Sequence, residues 1–121
     1  MSTTKTFSEA RTALAQGATV QDLTATALGA AEANRNLNAF LELFPESAQA
    51  QAARVDERLK NGTAGPLAGV MIAIKDNICY QDHKVSAASR ILEGYTSPYS
   101  ATVVERLLAA DAVIVGRTNC D

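Results

Sequence analysis

Residues 65–77 read GPLAGVMIAIKDN, and the character of the whole chain changes there. A Gly65-Pro66 turn releases the apolar run Leu67–Ile74, which Lys75-Asp76-Asn77 breaks off abruptly. A bounded apolar run of this length suits a strand covered on both faces, as in a parallel sheet. Downstream, Ser100 can cap a helix whose packed face is Val103, Val104, Leu107 and Leu108. Ala112-Val113-Ile114-Val115 reads as a second buried strand, ending at Gly116-Arg117-Thr118-Asn119. Strand, helix and strand in that order predict a right-handed parallel crossover.

Upstream of Gly65 the period is helical. Thr6 and Glu9 fit a capping box, with Phe7, Ala10 and Leu14 at helical spacing before a stop at Gly17. Thr19 with Asp22 opens a second helix whose stripe is Val20, Leu23, Ala27 and Ala30, fading near Asn34-Arg35-Asn36. Asn38–Phe44 reads as a connecting extended segment ending at Pro45. A third helix runs from about Glu46 to Lys60, with Ala48, Ala52, Val55 and Leu59 inward and Asn61-Gly62 as its stop. The expected organisation is a single domain of class α/β, with residues 1–62 mainly helical and residues 63–121 opening a mixed, largely parallel sheet flanked by helices. Two principal strands make a small, exposed layer, so the sheet is expected to be incomplete and the chain a truncated piece.

The composition narrows the function classes. A chain of 121 residues is about one domain, and 47% apolar with 20% charged residues is ordinary for a globular protein. Eleven basic against thirteen acidic side chains give a net charge of −2, which offers no basic field for nucleic acid. No apolar stretch has the length of a signal peptide core or a membrane span, so a cytoplasmic location is expected, without a membrane partner. Cys79 and Cys120 lie far apart with no C-x-x-C spacing, which favours free thiols over a disulfide or metal site. No metal site is expected. The single His83 has no companion near it in sequence and is expected in a loop or on the surface.

Lys75 is the sharpest chemical feature. It directly follows an apolar strand, so its amine is expected at the carboxyl end of a sheet with low-dielectric walls behind it. A lysine held neutral in such a place can replace histidine as the base that activates a serine. Spacing alone favours a simpler role, a lysine that snorkels to water or pairs with Asp76. Asp76 and Asn77 can brace Lys75 or close the turn, and closing the turn is the expected role. Ser86 and Ser89 are expected to make loop and cap hydrogen bonds, not to act as nucleophiles.

Three blocks reverse the weighting on Lys75. Gly65–Cys79 resembles the lysine-bearing motif of the amidase signature family. Ser89–Tyr95 with Ser97–Leu107 resembles the segment that follows it, and Ala112–Asp121 the one after that. The resemblance covers nearly half the chain, with the blocks in the family's order and spacing. Asp76–Cys79 and Ser97–Tyr99 look most like the glutamine-hydrolysing A subunits of tRNA-dependent amidotransferases. Met71, Asp82-His83 and Val85-Ser86 depart from the expected pattern, all near the lysine motif.

The resemblance implies a Ser–cis-Ser–Lys site in which Lys75 is the catalytic base and both serines come from sequence after Asp121. It further implies B and C partner subunits, with glutamine as substrate. tRNA, as Glu-tRNA(Gln) or Asp-tRNA(Asn), is held mainly by the partner. It implies no cofactor on this chain, ATP and Mg being used by the B subunit. Two other readings compete: a free-standing amidase acting on small amides, and a non-catalytic binding fragment.

Overall fold

A computed structural model describes residues 6–120 and gathers four helices around one three-stranded sheet. Helix α1 (Phe7–Ala15) starts as its sequence dictates: Thr6 Oγ1 accepts from Glu9 N at 3.1 Å, and the Glu9 carboxylate accepts from Thr6 N at 3.2 Å. Helix α2 (Val20–Ala33) repeats the device with Thr19 and Asp22, at 3.0 Å in both directions. A second acceptor serves the same end. The Asp56 carboxylate takes Val20 N at 2.6 Å and Gln21 N at 3.1 Å, placing negative charge at the positive end of α2.

The extended segment is a true strand, β1 (Phe40–Leu43), entered through a 3₁₀ turn at Arg35–Leu37. Helix α3 (Pro45–Lys60) follows at once. Pro45 occupies its first turn, where a missing N–H leaves no gap in the helix ladder. Strand β2 (Met71–Lys75), helix α4 (Thr102–Ala109) and strand β3 (Val113–Thr118) complete the fold. The sheet order is β1-β3-β2, with β3 antiparallel to β1 and parallel to β2. The sheet is therefore mixed, and the strand–helix–strand unit is parallel as its spacing predicts.

The core lies on both faces of β3. Val113 and Val115 pack with Val20, Ala52 and Val55 on the side of α2 and α3. Ile114 turns the other way, to Phe44, Ile74 and Val104. This two-residue alternation is what a central strand requires. Gly116 permits the close pairing with β1, because a Cβ there would stand 2.6 Å from Glu42 O and 2.8 Å from Phe40 Cδ1.

Several expectations need correction. The apolar run forms a strand only from Met71, since residues 67–69 turn, with Val70 N bonded to Leu67 O. The strand covered on both faces is β3. Among the described residues β2 lies at the sheet edge, with only Ile74 fully buried. Ser100 does not cap α4. Ala101 holds the cap position without a side-chain bond, and Ser100 Oγ accepts from Gln81 N instead. Val104 is the buried anchor of α4, whereas Val103, one helical step away, is 50% exposed. Leu59, in the last turn of α3, is exposed. Gln51 is buried instead, donating to the Leu108 and Ala112 carbonyls.

Candidate functional site

Lys75 ends β2, opposite Thr118 of β3. Alternation sends it away from the buried Ile74, and its side chain is exposed. The expected low-dielectric setting is therefore absent among the described residues, because nothing there covers that face of the edge strand. Nor does Lys75 pair with Asp76. No salt bridge or side-chain hydrogen bond holds its ammonium among the described residues.

Asp76, the next residue, is its opposite. Only 1% of it is exposed. One carboxylate oxygen accepts from Arg117 Nη1 at 2.5 Å and from Ser86 N at 3.1 Å, and the other accepts a short hydrogen bond from Ser86 Oγ. Arg117 Nε also donates to Glu42 Oε1 at 3.1 Å, so the guanidinium bridges two carboxylates across the sheet. Burial pushes the Asp76 carboxyl up. The Ser86 hydroxyl, the Arg117 guanidinium and the Ser86 N–H outweigh that and hold it below its ordinary value. Burial likewise opposes the charge on Arg117, but the two carboxylates prevail and raise its pKa.

The backbone around this pair is also tied down. Asp76 N donates to Thr118 O at 2.9 Å, Ile78 N to Lys75 O at 3.0 Å, and Ala87 N to Asp76 O at 3.0 Å. Asp76 and Asn77 thus form the middle of a turn, as expected, but the Asp76 side chain also gathers residues distant in sequence. Ser86 makes a loop hydrogen bond, as anticipated. Ser89 stands before the 3₁₀ turn Arg90–Leu92 without a side-chain capping bond. The loop pairs back on itself through Lys84 and Thr96. Ala87 and Ala88 adopt left-handed backbones, φ 50° and 59°, each costing about 1–3 kcal/mol that the surrounding contacts must offset. Ser86, Ser89, Arg90, Tyr95 and Arg117 line an open cleft of about 450 Å³ on this loop.

His83 lies in the same loop, yet it has companions that the sequence hides. Its ring stacks on Tyr80 with centroids 3.8 Å apart and meets Phe44 at 4.4 Å. Nδ1 lies 2.7 Å from Gln81 O, which can only accept, so Nδ1 carries the proton. Nε2 lies 2.7 Å from Ser47 Oγ. Cys79 and Cys120 are free and partly buried. Among the described residues no group of three or more His, Cys, Asp or Glu is placed to hold a metal ion, and no helix is long and apolar enough to cross a membrane.

Residues 22–121 match the family model described as Amidase. The chain belongs to the amidase family.

Curated relatives of this chain include proteins named as the A subunit of glutamyl-tRNA(Gln) amidotransferase. The protein from Bordetella petrii is 49% identical over 95% of this chain, and that from Rhodospirillum rubrum 46% identical over 96%. The one from Brachyspira hyodysenteriae is 53% identical over 69%. The chain spans 23%, 23% and 17% of those three proteins, respectively. Among solved structures, the native peptide amidase from Stenotrophomonas maltophilia superimposes with a TM-score of 0.81 at 33% identity, over 90% of this chain and 23% of its own. A chain of an inhibitor-bound vestigial complex, described as revealing the origins of an s-triazine catabolic enzyme, gives 0.88 at 31%, over 97% and 26%. The resemblance in three motif blocks and the α/β architecture agree with these matches.

Proposed function

We propose that this chain is the lysine-bearing portion of a glutamine-hydrolysing A subunit of a tRNA-dependent amidotransferase, with Lys75 as the catalytic base. The observation that carries the proposal is the 46–53% identity to proteins of that name. The motif lysine ends a strand parallel to its neighbour, and functional groups gather at such carboxyl ends in open α/β sheets.

In the proposed reaction, the Lys75 amine accepts a proton through one serine from the hydroxyl of a second. The second serine's oxygen attacks the side-chain amide carbon of glutamine, and backbone N–H groups stabilise the oxyanion. Collapse expels ammonia, which takes up the proton, and water then cleaves the glutamyl ester. Both serines belong to the part of an amidase-length protein outside this sequence. The exposure of Lys75 accords with that arrangement, since its environment would be completed by those segments. B and C subunits, a cytoplasmic location, ATP and Mg²⁺ at the B subunit, and tRNA held mainly by that partner belong to the same proposal. With a net charge of −2, this chain offers little of its own to a polyanion.

The test is Lys75→Ala in an amidase-length protein carrying this segment, assayed for ammonia release from glutamine with its partner subunits. Turnover should fall by about 10³-fold or more, as when a member of a catalytic triad is lost. Near-normal turnover would remove Lys75 from the mechanism. A free-standing amidase is the second reading, favoured by the fit to the peptide amidase. Glutaminase activity independent of any partner subunit would select it.

A further inference from the structure

We propose that Asp76 is a positioning residue of this site: clamped by Arg117 and Ser86, it fixes the backbone from which Lys75 projects and folds residues 84–96 over the carboxyl end of the sheet. The inference rests on the reading of Lys75 as the base.

Lys75 has no side-chain partner among the described residues, so what those residues fix is the main chain from which its side chain projects. That main chain is bonded on every side. Thr118 O takes Asp76 N, Lys75 O takes Ile78 N, and Asp76 O takes Ala87 N. The Asp76 carboxylate then adds what no main-chain bond can. It joins the end of β2 to Arg117 of β3 and to Ser86 of the loop, and through Arg117 to Glu42 of β1. Three strands and one loop converge on a single buried charge.

A buried ion pair is a poor device for stability alone, since apolar side chains of similar volume often serve as well or better. What the pair supplies is direction. A carboxylate with three convergent donors has one orientation, whereas an apolar plug tolerates several. The loop shows why direction matters. Ala87 and Ala88 hold left-handed backbones that unsupported alanines avoid. The bonds immediately before and at that kink are those to Asp76, from Ser86 N, Ser86 Oγ and Ala87 N. Released from Asp76, the loop would lose both its strained shape and its seat beside the strand end that carries Lys75.

The experiment uses the amidase-length protein with its partner subunits and measures glutaminase kcat and KM separately. Asp76→Asn keeps the shape and removes the charge. Ser86→Ala keeps the main-chain bond and removes only the hydroxyl, so it folds even where the first variant does not. Displacing a catalytic group by about 1 Å costs on the order of 100-fold in rate. Asp76→Asn should therefore lower kcat by about 10–100-fold, and Ser86→Ala by a few-fold, with KM changing less than about threefold in both. A purely structural role would lower the thermal midpoint yet leave kcat per folded molecule unchanged. Unchanged kcat in folded Asp76→Asn, or in Ser86→Ala should Asp76→Asn not fold, overturns the inference when Lys75→Ala is inactive. An active Lys75→Ala overturns instead the reading beneath it, so the two failures are told apart.

Discussion

The mainly helical part before Gly62, which also carries β1, and the part after it are held by different means. The first draws much of its order from neighbours: both capping boxes span three residues, and the buried stripes of α2 and α3 follow the helical period, with Asp56 of α3 adding one longer link to the start of α2. The second is closed by groups far apart in sequence. Arg117 reaches Asp76 across 41 positions and Glu42 across 75, and Gln51 joins α3 to the start of β3 across 61. Local structure can lose one contact and keep its shape. A long-range polar node is less forgiving, because losing a member leaves a buried charge short of a partner.

The largest effect should therefore come from Asp76→Ala, which removes the carboxylate and leaves Arg117 with Glu42 alone. Loss of one partner from a buried pair costs about 3–5 kcal/mol. The low end applies here because Arg117 keeps Glu42. The measurement is the urea unfolding midpoint of the amidase-length protein. Acid should act on the same group. The Asp76 pKa is depressed in the folded state, so its contribution is fully present above the ordinary carboxylate value and is lost as pH falls through the folded value. The Asp76→Ala variant should lack that component of acid sensitivity. If wild type and variant lose stability in parallel below about pH 4, the node does not carry it.

Gly116→Ala comes next. The added methyl would meet the backbone oxygen of Glu42 at 2.6 Å, and main chain yields far less readily than a side chain. Overpacking of this kind costs about 1–3 kcal/mol. Because Arg117 is the next residue, the strain should also loosen its bond to Glu42. Hydrogen exchange at the β1 amides reads this directly. Protection unchanged from wild type would mean that β1 is not held against β3 as described.

Legibility followed the same division. The caps at Thr6 and Thr19, the inward face of α3 at Ala48, Ala52 and Val55, and the parallel strand pair could all be read from spacing, since each depends on residues a few positions apart or on one apolar run. Which strand is central could not. Both runs are equally apolar, and only the pairing of β1 with β3 makes β3 the middle strand. The run expected to be covered on both faces, β2, lies at the sheet edge among the described residues, and Lys75 at its end is exposed there. Asp76 was assigned to its turn, and its larger role stayed hidden because Arg117 sits in a different motif block. His83 looked solitary for the same cause, its partner Ser47 being 36 positions away. A carboxylate directly after an apolar strand, with an arginine at the end of a second such strand, is the one pattern that points to the pair.

The smallest effect should be Thr19→Ala. It removes the acceptor for Asp22 N at the start of α2, and loss of such a cap costs about 1 kcal/mol. Two features keep the cost local. Asp22 remains to take Thr19 N, and Asp56 of α3 still takes Val20 N and Gln21 N. The first turn therefore keeps most of its acceptors, and faster hydrogen exchange should be confined to the amide of Asp22 and its immediate neighbours. If exchange instead quickened along α2 and into β3, the helical half would be as cooperative as the Asp76 node. The distinction between a forgiving half and an unforgiving one would then fail at its simplest point.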